Sequence, residues 1–304
     1  MAHFLDPRND LTFKRVFGEH KHLCISLINS MLMFDKPIVS IEYQTGELIP
    51  ELVNVLRNTI VDVRCTDSDG RQFLVEMQLF WDESFKSRVL FNASKAYVIQ
   101  LDKAKDFNLL KPVYALNFVN DTFERTPGME NEYYHHYKIV NINHTGKQIE
   151  GLEFILIELP KFTPQNRTEK KLHELWLRFL TEINEKTVEV PQELLENDDI
   201  REAIGYMERS AYSKKQLDAY YQWRIDTITG RSMLSNAEAK GEAIGLEKGE
   251  AIGFEKGLEK GRAEERIKAN ENLVINGYQA GMSIEMISTV TGLTIEKITE
   301  ILRL

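Results

Sequence analysis

The chain has 304 residues, 42% of them hydrophobic, and a formal net charge of −9, which allows one large domain or two smaller ones with a full core. The acidic balance excludes a protein drawn to nucleic acid by its overall field, so any such surface must be a local basic patch. Two cysteines make no disulfide framework; no apolar run nears the ~20 residues of a membrane span, and the N-terminus lacks the basic-then-apolar order of a signal peptide, so a cytoplasmic protein without a membrane partner is expected.

In chain order, Asp10 to about Met33 reads as helix, with Phe13, Val16, Phe17 and then Leu23, Leu27, Ile28 at helical spacing and Gly18 as an interruption. Ile38 to Gln44 reads as a strand. Thr59 to Phe80 reads as two strands flanking Asp67-Ser68-Asp69-Gly70, a turn-forming composition. Val61, Val63 and Cys65 share one face of the first strand, and Phe73, Val75 and Met77 share one face of the second. These faces coincide only if the loop has an odd number of residues, because a one-residue slip turns every side chain over. Ser68-Asp69-Gly70 meets that need and puts glycine where a left-handed residue is wanted. Asp62 then lies opposite Glu76 on the other face, with Gln78 two residues further along. Carboxylates on half-buried strands are costly unless paired. Two of them with an amide form a hard-oxygen set suited to Mg²⁺ or Mn²⁺; the bland alternative is a charged solvent face of an exposed hairpin.

Phe85 to Leu101 reads as helix, and Val113 to Val119 and Phe154 to Leu159 as buried strands. Helix, strands, helix, strand is an α/β order. His135 and His136 follow Tyr133 and Tyr134 without the spacing of a zinc site, and read as structural or surface residues. Residues 168–235 read as mostly helical, giving a first domain over 1–235. A repeat segment, 236–268, carries Gly241, Gly245, Gly249, Gly253, Gly257 and Gly261 at every fourth residue. If helical, these glycines form one ridge that lets two backbones approach, which makes a homo-oligomer expected. Each glycine costs about 0.5–1 kcal/mol of helix propensity, so a flexible hinge is the alternative. In the last segment, 269–304, Ile284, Ile287, Val290 and then Ile295, Ile298, Ile301 flank Thr291-Gly292-Leu293-Thr294, a helix-turn-helix pattern. Its second helix offers only Lys297 and Arg303 as cations, so a packing or protein-binding element competes with DNA binding.

An aspartate on one strand followed by glutamate-x-glutamine on the next resembles the PD-(D/E)XK nuclease core. The opening DPRNDLTFKRVFG, Asp6 to Gly18, is similar to the start of the Rpn branch, the recombination-promoting nucleases. SFKSRVLFNASKAYVIQL, Ser84 to Leu101, resembles the helix that follows the core in that branch. Gln78 stands where the wider superfamily has lysine, although glutamine is common in the branch. The resemblance implies a restriction-endonuclease-like α/β core with a helical C-terminal extension. It also implies a Mg²⁺-dependent DNA endonuclease linked to recombination or mobile elements; the alternative is an inactive nuclease-fold protein that binds DNA or assembles. Asp62 and Glu76 become metal ligands, and Gln78, which can be neither cation nor base at neutral pH, orients the water or a phosphate oxygen. Asp10 either completes the acidic cluster or meets the dipole of its helix. Lys14, and Arg88 with Lys95 seven residues on, are candidate DNA contacts, or else solvated or salt-bridged cations. The first 120 residues hold 14 Lys and Arg against 15 Asp and Glu, a balance of −1; the rest hold 24 against 32, a balance of −8.

Overall fold

The computed structural model describes residues 3–44, 62–102, 106–164 and 171–303. Thr59, Ile60 and Val61 of the expected first hairpin strand lie outside them. The order is α1 (Asp10–Phe13), a π-helical turn (Lys14–Gly18), α2 (Lys21–Met31), β1 (Ile41–Tyr43), β2 (Val63–Asp67), β3 (Gln72–Gln78), α3 (Phe85–Val98), β4 (Val113–Val119), β5 (Tyr134–Asn141), β6 (His144–Glu158), α4 (Leu172–Glu182), α5 (Gln192–Leu195), α6 (Asp198–Met207), α7 (Lys214–Gln279), α8 (Ile284–Thr291) and α9 (Ile295–Leu302). The α/β order expected from the sequence is the order found. The first helix is broken where Gly18 stands, ending one helical stretch before α2 opens.

The strands form one sheet in the order β1-β2-β3-β4-β6-β5. β3, β4 and β6 run parallel, and the remaining pairs are antiparallel. In the β2–β3 hairpin Val63 pairs with Val75 and Cys65 with Phe73, as an odd loop requires. The turn closes with Asp67 N–H on Arg71 O at 3.0 Å, and Gly70 adopts φ +83°. Val63, Cys65, Phe73 and Val75 join Leu116, Phe118, Ile155 and Ile157 against α2, α4 and α6 in the main core. Phe17 meets the Trp176 ring edge-on at 5.3 Å, and the Trp176 indole N–H donates to Ser26 Oγ at 3.2 Å. The opposite sheet face is covered by α3, whose Phe85, Val89, Ala93 and Ala96 pack on Leu74, Val113, Ala115, Val119 and Leu156. The sheet therefore has helices on both faces, and the polar residues Glu76 and Gln78 facing α3 are partly shielded from water.

The sequence reading does not anticipate β5 or the first half of β6. Tyr137 to Asn141 and His144 to Glu150 are exposed on both faces, so the hairpin leaves no alternation of apolar and polar residues to read. Backbone pairing holds it, with register shifts at Lys138–Ile139 and Val140–Asn141.

The chain divides into two compact units, Met1–Ile228 and Thr229–Leu304. That break and the boundary expected at 235 both fall inside α7. The glycine repeat lies on α7, and a Cβ added at any of its six glycines would meet nothing within 4 Å. In the C-terminal unit Val274, Ile287 and Ile298 form a small core. Ser283 and Thr294 cap α8 and α9, and Gly292 ends α8 at φ +70°. Val290 and Ile295, read as part of the apolar stripes, are instead more than half exposed. Among the described residues no helix is long and apolar enough to cross a membrane.

Gly70 is the position on which the hairpin register turns. A Cβ there would face Lys111 Cγ at 3.0 Å as well as the left-handed backbone. Gly70→Ala should lower stability by about 1 kcal/mol or more, read as a drop in urea midpoint, while Ser68→Ala in the same exposed turn should leave it in place. Equal midpoints for the two variants would refute this role.

Candidate active site

The hairpin register, extended by one pair beyond Val63–Val75, sets Asp62 opposite Glu76. Asp62 lies just before β2, and its Oδ2 accepts from the Met77 backbone N–H at 2.8 Å. The Glu76 carboxylate turns toward α3, where Asn92 Nδ2 donates to Oε1 at 3.1 Å. Gln78, two residues on, donates from Nε2 to Phe80 O at 2.6 Å and accepts at Oε1 from Arg88 Nη2 at 3.1 Å. Arg88 also reaches Asp82 at 3.5 Å. The structure thus brings Asp62, Glu76, Gln78 and Arg88 to one end of the α3-covered face.

Asp10 joins them from the N-terminal helix. It lies in the first turn of α1, capped by Asn9. Lys14, one turn on, places Nζ 2.6 Å from Asp10 Oδ1 and 3.7 Å from Asp62 Oδ1. Asp10 thus sits at a helix start and also beside Asp62. Lys95 is different. It follows Arg88 and Asn92 along α3 but is only 9% exposed, with Nζ 5.3 Å from the Phe91 ring. Desolvation holds its pKa below the usual lysine value.

The electrostatics follow from burial. Desolvation pushes the Asp62 carboxyl up to about 6; the Met77 N–H opposes this, the Asp10 charge adds to it and Lys14 pulls it back. Desolvation pushes Glu76 up to about 7, helped by the charge of Asp62 and resisted by Asn92 and Arg88. Two acids that burial leaves holding protons this tightly are also a place that favours another cation.

Among the described residues no three His, Cys, Asp or Glu side chains are set to hold a metal ion as they stand. A complete cage is not what Mg²⁺ requires, because it is usually held by one or two carboxylates, with waters and substrate phosphates filling its other positions. Asp62 and Glu76 fit that donor set, and the Lys14 ammonium between Asp10 and Asp62 marks the place as one that takes a cation.

Sequence reasoning missed Asn92, which is 3% exposed and whose Oδ1 has no partner among the described residues. The signal was its place on one helix face between Arg88 and Lys95. It also missed Arg8. That side chain is held by Asp6 at 2.7 and 2.8 Å and donates to Asn120 Oδ1 at 2.9 Å, while Asn120 N–H donates to Gln78 O at 2.7 Å. The opening DPRND stretch is thereby fastened to the end of β3. His135 is buried against Glu158 at 2.9 Å, and the exposed His136 pairs with Glu153 at 2.6 Å.

The family model for PD-(D/E)XK nuclease family transposases matches residues 7–227. No curated protein and no solved structure matches the chain.

The raised carboxyls give a pH dependence opposite to that of ordinary salt-bridged acids. The folded, metal-free state keeps protons that the unfolded chain gives up, so this contribution is fully present below the unfolded value. It is lost as pH rises from the ordinary glutamate value of 4.5 to about 7. Glu76→Gln should remove much of that decline. The stability difference between variant and wild type should therefore grow in the variant's favour across this window, as measured by denaturant unfolding in chelator. A difference independent of pH would show that Glu76 is not strained by burial.

Proposed function

The chain belongs to the PD-(D/E)XK nuclease family of transposases, and we propose that it is a divalent-metal-dependent DNA endonuclease serving recombination or the movement of mobile elements. The observation that carries this reading is the Asp62–Glu76 pair, two carboxyls set opposite each other at one end of a covered sheet face and both pushed up by burial. When bound there, Mg²⁺ or Mn²⁺ supplies charge neutralisation at the phosphodiester and lowers the pKa of the attacking water. The chain's own residues set the geometry. The Met77 N–H orients Asp62, Asn92 orients Glu76, and Arg88 with the Phe80 carbonyl fixes both ends of the Gln78 amide. Gln78 is then a positioning group, because a neutral amide can neither remove a proton nor carry charge. Asp10 is the third carboxylate of the site. Lys14 and Arg88 are the cations nearest it and contact the DNA backbone in this reading. Lys95 belongs to the same helix face but reaches DNA only if α3 shifts. The buried free thiols Cys24 and Cys65 suit a reducing cytoplasm.

A second reading concerns assembly, and it rests on the rows beside the glycine ridge of α7. Lys240, Ile244, Lys248, Ile252, Lys256 and Lys260 form one flanking row; Glu242, Leu246, Glu250, Phe254 and Leu258 form the other. A twofold axis along two parallel helices brings the Lys–Ile row of each copy against the Glu–Leu row of its partner. An antiparallel pair sets like charges together. The flanking rows therefore favour a parallel homodimer through this segment.

Plasmid cleavage tests the first reading. Activity should require Mg²⁺ or Mn²⁺ and stop with chelator. Asp62→Ala and Glu76→Ala should each lose about two orders of magnitude or more while staying folded, and Gln78→Ala should lose less. Wild-type cleavage by Asp62→Ala would exclude this site; DNA binding without cleavage by any form would favour the inactive alternative.

Sedimentation tests the second reading. Gly249→Leu with Gly253→Leu should shift the full chain toward monomer, because bulk separates the backbones, and the double alanine variant should do so less. An unchanged mass for the leucine variant would end the ridge proposal.

A further inference from the structure

Lys14 sits in an unusual place for a lysine on a nuclease surface. Its ammonium reaches two carboxylates of the candidate site, at 2.6 Å and 3.7 Å. It is the first residue of the π-helical turn Lys14–Gly18, a local widening of the helix that recurs at functional sites. Asp10 comes from α1 and Asp62 from the start of the hairpin, so one side chain joins the N-terminal block to the sheet. The remaining member of the group, Glu76, is met by the Asn92 amide and has no ion pair with a cation among the described residues. Two of the three carboxyls, those of Asp10 and Asp62, thus share a single ammonium.

That arrangement has a consequence for any ion that enters. A divalent cation held by Asp62 needs the same oxygens and the same negative potential that hold Lys14. Two positive groups cannot share one carboxylate edge without strong repulsion. The ammonium is the one that can leave, because it hangs on a flexible four-carbon stem and is 38% exposed.

Building on the metal-site reading above, we infer that Lys14 is the resident counter-cation of the carboxylate group and that a divalent ion enters by displacing its ammonium. In the metal-free protein Lys14 offsets the repulsion between Asp10 and Asp62. With the ion bound, the side chain would be released from Asp62 and could meet a phosphate instead. Lys14 is in this sense a positioning residue that sets the metal concentration at which the site fills.

The test is a Mn²⁺ titration of the full chain, following the loss of the free-ion paramagnetic signal. Lys14→Met should bind Mn²⁺ about fivefold or more tightly than wild type, because the competing charge is gone. Lys21→Met, which removes an ion pair to Glu42 on α2 and β1, should bind like wild type, and Asp62→Ala should lose the site. If wild type binds, Asp62→Ala does not, and Lys14→Met matches wild type, the lysine inference is overturned and the metal reading stands. If Asp62→Ala binds as wild type does, or if neither wild type nor Lys14→Met binds, both are overturned. A second measurement does not depend on a variant that folds. Acylation of Lys14 by an amine-reactive ester, read by peptide mass spectrometry, should rise severalfold on adding Mg²⁺ to wild type while Lys21 is unchanged. An equal Lys14 rate with and without Mg²⁺, where Mn²⁺ binding is demonstrated, would refute displacement.

Discussion

Two carboxyl groups held opposite each other on the covered face of a sheet are the constraint around which this protein is arranged. Unit charges one cross-strand spacing apart, ~5 Å, repel by roughly 3 kcal/mol at an effective dielectric of about 20. Removing the same groups from water adds to that. The surroundings offset part of the cost with one partner each: a backbone N–H for Asp62, an amide for Glu76, and an ammonium shared between Asp62 and Asp10. The offset is incomplete, since both acids still hold protons more tightly than in water. A fold tolerates such a deficit where a ligand is meant to remove it.

The supporting frame explains why the strain stays local. Below the sheet, Val63, Cys65, Phe73 and Val75 are buried against α2 and α4, which fixes the hairpin register. Once those side chains are committed to the core, Asp62 and Glu76 have no choice of face. Above the sheet, Phe85, Val89, Ala93 and Ala96 hold α3 down, which carries Asn92 to Glu76 and Arg88 to Gln78. At the strand ends, Arg8 and Asn120 tie the N-terminal block to β3. The site is therefore assembled by the apolar packing on both sides of it.

This division decides what could be read from the sequence. The Asp62–Glu76 opposition was legible because it depends only on period-two alternation, an odd loop and one glycine with positive φ, all local properties. Asn92 was not legible as a partner of Glu76, because that contact depends on how α3 is rotated on a sheet whose strands come from distant stretches. Lys95 shows the same limit from the other side. A spacing of seven puts it on the face of Arg88, but spacing carries no measure of depth, and Lys95 is buried where Arg88 is part-exposed. The β5–β6 hairpin was missed for the opposite reason: exposed on both faces, it has backbone hydrogen bonds and no apolar pattern. The tail was legible in kind, since a four-residue glycine period has meaning only on a helix, yet its partner is not written in a single chain.

The charge distribution bears on how such a site can serve a nuclease. The chain is acidic overall, and most of the excess lies beyond residue 120, so no general attraction carries DNA to it. At the site itself, carboxyls would face phosphates, an arrangement that repels until a cation stands between them. On the nuclease reading, metal and DNA must therefore favour each other's binding, and by linkage the coupling is equal in both directions. An ammonium can screen the carboxyls, but it spends its one charge on them. A divalent ion satisfies two carboxylates and still has open positions for phosphate oxygen. On that reading the acidic site would reject DNA when empty and accept it when filled, so the repulsion that strains the metal-free protein would also make its activity conditional on the ion.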